Sequence, residues 1–153
     1  MATEHHFEAL LKWSGANMGP TTDYESYSRD YHVEMEGKPV LMGSAATPFR
    51  GNGSLHNPED LLLASVAACH MLSYFAVCAR SGVVVVSYED RATATMRFSE
   101  GKMRIVEATL RPKVHVLPGT DMEKAVQLHG RANAECFIAS SVNFPIYHKP
   151  EVG

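Results

Sequence analysis

Nineteen consecutive residues, Leu61 to Ala79 in "NPEDLLLASVAACHMLSYFAVCARSG", carry no Asp, Glu, Lys or Arg. A run of that length is either a membrane span or a helix that protein must cover on nearly every side. Its ends are written as helix ends. Asn57 suits an N-cap, Pro58 the first helical position, and Asp60 completes a reciprocal cap; Gly82 marks the stop. Ser65, Cys69, His70, Ser73, Tyr74 and Cys78 dilute the hydropathy of the run. The flanking segments alternate apolar and polar residues, as half-wet strands of soluble sheets do. The run therefore reads as a buried core helix. One small sheet covers only one side of it, so a second sheet or a second subunit is implied.

Upstream, "FEALLKW" places Phe7, Ala9, Leu11 and Trp13 on one face. "SYSRDYHVEME" alternates more cleanly, and "VLMGSA" is its hairpin partner across the Glu36–Pro39 turn. Residues 44–56 are a Gly-, Pro-, Ser- and Asn-rich loop with a single Arg, Arg50. Downstream, "SYEDRATATMRF" and "MRIVEATLRPKVHV" form one long antiparallel hairpin about the Ser99–Lys102 turn. Thr120–Glu123 is a capping box opening a second helix, with Met122, Ala125, Val126, His129, Ala132 and Cys136 on one stripe. "SVNFPIYHK" closes as a strand, and Pro145 puts it at an edge. Strands, helix, strands, helix, strand make an α+β fold, in one domain over residues 1–153.

The composition, 45% hydrophobic and 20% charged, is that of a soluble globular protein. A net charge of −3 without a Lys/Arg run gives no footprint for nucleic acid or an anionic membrane surface. "MATEHHFEALLKW" lacks the basic start and apolar stretch of a signal peptide. Eight histidines follow no metal-ligand spacing, and three cysteines without a CxxC fit neither a disulfide framework nor a zinc site. The expected location is the cytoplasm, where a disulfide is catalytic more often than structural.

Cys69 and Cys78 are nine helical residues apart, on opposite sides and roughly 13 Å apart along the axis, so they cannot bond to each other. Any pair joins Cys136 to one of them, and spacing does not choose between them. A buried cysteine is ordinarily a small hydrophobe. Here small residues precede both Cys69 ("ASVAAC") and Cys136 ("GRANAEC"), permitting close backbone approach, and Arg50 can supply positive charge to a thiolate.

These residues resemble the OsmC/Ohr family of organic hydroperoxide reductases. In that family a helix begins N-P-E and a cysteine stands ten residues after the Glu. A second cysteine ends a later helix, and an Arg lies shortly before the N-P-E. Glu59 and Cys69 have that spacing, Cys136 stands at the second cysteine, and Arg50 lies seven residues before Asn57. The resemblance implies antiparallel sheets around a central buried helix in an intertwined homodimer. It implies that Cys69 is the peroxidatic thiolate and Cys136 the resolving cysteine, with Arg50 stabilising the thiolate and Glu59 orienting the guanidinium. It further implies an organic hydroperoxide substrate, a dithiol reductant of the dihydrolipoyl kind, and neither metal nor flavin. Glu59 and Cys69 are about 15 Å apart along a straight helix, so either the helix bends or a partner subunit contributes, which argues for a site at a dimer interface. Phe137 and Ala139 after the second cysteine depart from the family's usual Pro and Ser, marking a divergent branch. Two rivals remain: a binding or structural protein on the same fold, and a cysteine acyl-transfer enzyme drawing on His56, His115 or His129.

Overall fold

The uncharged run forms the 23-residue helix α1 (Pro58–Arg80) in the computed structural model, which describes residues 3–153. Both ends are built as their residues predict. The Asp60 N–H donates to Asn57 Oδ1 at 2.8 Å and the Asn57 N–H donates to Asp60 Oδ2 at 3.2 Å, so two otherwise orphaned donors satisfy each other reciprocally. At the other end Gly82 adopts φ 75°, and the Val83 N–H reaches back to the Cys78 carbonyl at 2.9 Å. That left-handed backbone turn favours a residue without a Cβ. An Asn57→Ala protein is expected to lose about 1 kcal/mol of stability, read as a fall of a few degrees in Tm.

The chain divides into two compact units, 1–61 and 62–153, and α1 begins in the first and runs into the second. The first unit holds strands β1 (Leu10–Trp13), β2 (Tyr31–Glu34) and β3 (Leu41–Gly43), an antiparallel sheet in that order. The strand expected over 26–36 is reduced to Tyr31–Glu34 for a local reason. Arg29 folds back: its guanidinium lies 3.7 Å from the Tyr27 ring centroid and donates to the carbonyls of Tyr27 and Tyr24. The Trp13 indole N–H takes the Ser28 carbonyl at 2.8 Å. Carbonyls that a strand ladder would use are thus occupied by side chains, and pairing starts only at Tyr31.

In the second unit the expected long hairpin is present but folded across its middle. It becomes β4 (Val85–Asp90), β5 (Thr93–Ser99), β6 (Lys102–Leu110) and β7 (Pro112–Val116), with β5 on β6 and β4 on β7. The break falls where Pro112 has no N–H to give. Asp90 Oδ1 accepts the Arg111 N–H at 2.7 Å, and the Arg111 guanidinium donates to Arg91 O and Thr93 Oγ1 across the bend. The tip is a tight turn with Glu100 at φ 53° and Gly101 at φ 80°. Two short C-terminal strands, β8 (Ile146–His148) and β9 (Glu151–Val152), join β6 and β7 in parallel. The two sheets are therefore mixed rather than purely antiparallel, in the orders β5-β6-β8 and β4-β7-β9. β8 lies at an edge, as Pro145 predicts.

Helix α2 (Met122–Glu135) is capped by Asp121, whose carboxylate accepts the Lys124 N–H at 3.1 Å; Thr120, the expected start of the capping box, stands one residue before it. Its inward stripe is Ala125, Leu128, His129 and Ala132, so Met122 and Val126 fall outside the buried face. The core joins this stripe to Tyr74, Val77 and Cys78 of α1 and to Val83, Val114 and Val116. The buried Tyr74 hydroxyl donates to Ala125 O at 2.7 Å, which removes the cost of an unpaired polar group there. On α1 the buried face is Val66, His70, Tyr74, Val77 and Cys78, while Ala64, Ala68 and Leu72 face outward, Leu72 at 62% exposure. By length and composition α1 could cross a membrane. Its inward face nonetheless carries His70 and Tyr74, with hydrogen bonds to His129 and Ala125.

Candidate functional site

Two thiols meet where α1 and the end of α2 come together. Cys69 is half-buried on α1; Cys136 is the residue that closes α2, 1% exposed, its N–H donating to Asn133 O at 3.3 Å. Both are reduced. Cys78, the alternative partner on spacing grounds, is packed in the core with Tyr74 and Val77, and burial pushes its thiol up. The fold thus makes the choice that helical spacing left open.

The two adjoining thiols are unequal. Burial by itself raises the Cys69 thiol, but hydrogen bonding from the Cys136 thiol, the N–H groups of Ile138 and Phe137, and the Ser73 hydroxyl outweighs it. The net shift is downward. Burial raises the Cys136 thiol, and the Cys69 sulfur beside it raises it further, with the Ala139 N–H at 3.4 Å from Cys136 Sγ offsetting only part. The chain leaves α2 and turns through a short 3-10 segment, Ala139–Ser141, so that successive N–H groups face the sulfurs. Sequence reasoning missed this nest. Its donors are backbone atoms, and "CFIAS" carries no side-chain signal for them.

The other two expected residues lie in the first unit's loop and at the start of α1. Arg50 is exposed at φ 65°, and Gly51 after it runs so close to Ala45 that a Cβ would meet the Ala45 carbonyl oxygen at 1.6 Å. Glu59 is half-buried and lines a cavity of about 370 Å³ with Arg29, Tyr31, Ser44 and Phe49. Tyr31 is pushed up there, by burial first and then by Glu59 and Asp60. Arg29 is a cation that the sequence reading passed over. Its only signal was the tyrosine spacing in "YESYSRDY", which suits a guanidinium stacked on aromatic rings.

Next to Cys69, His70 points into the core and shares a 3.0 Å hydrogen bond, Nε2 to Nδ1, with His129 of α2. Burial lowers both imidazoles, His70 to about 3 and His129 to about 4, and His148 of β8 lowers them further. His56 and His115, the other candidates for a Cys–His pair, are exposed.

Three comparisons place the chain. A family model described as OsmC-like protein matches residues 51–151. The uncharacterized protein YmaD of Bacillus subtilis (strain 168) is 23% identical over 142 residues, 91% of this chain and 87% of that protein. The solved structure of an OsmC-like protein of unknown function from Vibrio cholerae is 26% identical, with a TM-score of 0.87 over 97% of this chain and all of that one. An organic hydroperoxide resistance protein from Elizabethkingia anophelis shares the fold at 20% identity, with a TM-score of 0.73 over 100% of this chain and 99% of that one. The family match takes in α1, the two mixed sheets up to Glu151, and Cys69 and Cys136, and it begins one residue after Arg50. This protein belongs to the OsmC-like family.

Proposed function

We propose that the protein is a thiol-dependent peroxidase that reduces organic hydroperoxides to alcohols. The observation that carries this reading is the pair of adjoining thiols with opposite shifts, Cys69 down and Cys136 up. A thiolate is the species that attacks a peroxide, and a protonated thiol beside it is held ready for the second step. The Cys69 thiolate attacks the terminal oxygen of ROOH. The O–O bond breaks and alkoxide leaves, taking a proton to become ROH, while Cys69 becomes a sulfenic acid. Cys136 sulfur then attacks Cys69 sulfur, the hydroxyl departs as water with the Cys136 proton, and a disulfide remains. An external dithiol, of the lipoyl type in the reducing cytosol, returns both thiols by exchange.

Arg50 is the guanidinium assigned to the peroxide oxygens, and Glu59 the carboxylate that orients it by charge-assisted hydrogen bonds. The active form is a homodimer. The outward stripe of Ala64, Ala68 and Leu72 on α1, with exposed Val84 and Val86 of the following segment, supplies the apolar surface that a second copy covers. That also accounts for a helix whose uncharged run, 61–79, has only one face buried in its own chain, without a membrane. The protein acts as one module on a small molecule, and its charge gives no purchase for nucleic acid. The test is intact mass after one equivalent of cumene hydroperoxide. The wild type should lose two mass units, and Cys136→Ser should instead gain about sixteen. No change in mass would leave a binding protein on this fold.

A further inference from the structure

Three imidazoles are gathered inside the second unit: His70 on α1, His129 on α2 and His148 on β8. The His70 and His148 ring centroids are 4.5 Å apart, and His129 stacks on Tyr74 at 3.8 Å. Each ring keeps one buried nitrogen without a partner: His70 Nδ1, His129 Nε2 and His148 Nε2. Among the described residues no three His, Cys, Asp or Glu side chains form a metal-ligand set; the His70 ring is near-parallel to that of His129 and tilted by 38° to that of His148. As filler they are poor. Each unpaired nitrogen costs about 1–3 kcal/mol, which apolar side chains of equal volume would avoid. What the imidazoles supply, and apolar side chains cannot, is direction.

That direction acts between the two helices that carry the thiols. His70 is the neighbour of Cys69 on α1. His129 precedes Cys136 by seven residues, two turns of helix, on the buried stripe of α2. Apolar contacts allow α2 to slide along α1 by fractions of an ångström at little cost. A 3.0 Å hydrogen bond between two buried rings does not, and it lies one residue from Cys69 and seven from Cys136, whereas the other buried bond between these helices, Tyr74 to Ala125, lies five and eleven residues from them. Disulfide formation is intolerant of such sliding, because sulfur must approach sulfur in a narrow geometry. We propose that the His70–His129 hydrogen bond is a positioning device: it sets the register of α2 against α1 and so holds Cys136 in bonding range of Cys69. The inference rests on the redox pairing of Cys69 with Cys136 proposed above. The groups facing the pair are Tyr74 of α1 and His148 of β8, with Tyr88 of β4 behind Tyr74. One ring nitrogen donates and the other accepts, so the accepting ring must be neutral.

The test uses the shapes of amides. Glutamine places a polar atom near the Nε2 position of histidine and asparagine near Nδ1. The bond uses Nε2 of His70 and Nδ1 of His129, so the two positions should respond in opposite ways. The full chain is equilibrated in glutathione buffers at pH 7, where one glutathione disulfide plus two protein thiols gives two glutathiones plus the protein disulfide. The disulfide fraction is read by mass after acid quenching. His70→Gln and His129→Asn should stay within about threefold of the wild-type equilibrium constant, while His70→Asn and His129→Gln should fall at least tenfold. A purely structural role predicts no such crossing. Equal constants for the two amides at either position would overturn the proposal. So would unfolding of the two mismatched variants, since the bond would then hold the fold and not the register. A wild type that forms no Cys69–Cys136 disulfide in these buffers would instead remove the peroxidase reading.

Discussion

A Cys69→Ser protein is expected to lose hydroperoxide turnover by on the order of a thousandfold or more, measured with tert-butyl hydroperoxide and a dithiol reductant. The size of the effect follows from what surrounds the sulfur. Burial by itself would raise this thiol, but the Cys136 thiol, the N–H groups of Ile138 and Phe137 and the Ser73 hydroxyl favour a negative charge at this position and bring it below its ordinary value. A serine hydroxyl begins so much higher that the same donors cannot ionise it, and an oxygen at that position cannot become a sulfenic acid. Cys136→Ser should behave differently. It should be oxidised once as fast as the wild type and then stall until an external thiol is added. Cys78→Ser should leave turnover near the wild-type level and lower Tm, because Cys78 is part of the core. Turnover surviving in Cys69→Ser, or lost equally in all three variants, would end the assignment.

Acid should destabilise the second unit well before its carboxylates are protonated. In the folded chain His70 is held at about 3 and His129 at about 4, against 6.5 when exposed, and His148 is lowered as well. Burial is the main cause: rings that are 1% and 2% exposed cannot be hydrated when charged, and each would face another imidazole and not a carboxylate. The unfolded chain therefore binds protons that the folded chain refuses. Stability is full above pH 6.5, falls as pH drops below that value, and goes on falling until the folded rings themselves titrate near 4 and 3. The rings share one environment and their effects do not add. The combined loss between pH 7 and 4 is about 3–5 kcal/mol, a large part of the stability of a domain this size. Urea melts across that range should show it. His148→Phe, which fills similar space and leaves the His70–His129 bond in place, should flatten the dependence. A midpoint that does not move between pH 7 and 4 would mean that the rings take up protons in the folded state.

Local signals were the ones that read through. The reciprocal Asn57–Asp60 cap, the Gly82 stop, the Glu100–Gly101 turn and the edge position of β8 follow from residues within a few positions of each other, and all four are present. The errors are also local in origin but non-local in cause. The strand expected before Tyr31 is cut short because Arg29 and Trp13 take its carbonyls. The long hairpin is folded in two because Asp90 caps the Arg111 N–H beside a proline that has none. Alternation of apolar and polar residues is unchanged across both places, so no periodicity argument could have found them.

By itself the sequence determined that residues 61–79 are helical, where that helix begins and ends, and that Cys69 and Cys78 cannot bond to each other, because caps, stops and helical pitch are properties of neighbouring residues. Only the tertiary structure decided that Cys136 meets Cys69 and not Cys78, that the two adjoining sulfurs shift in opposite directions although backbone N–H groups after α2 serve both, and that three histidines scattered over 79 positions close into one buried cluster. Each of those depends on groups brought together by packing from elements far apart in the chain, and a linear order of side chains does not encode a distance between them.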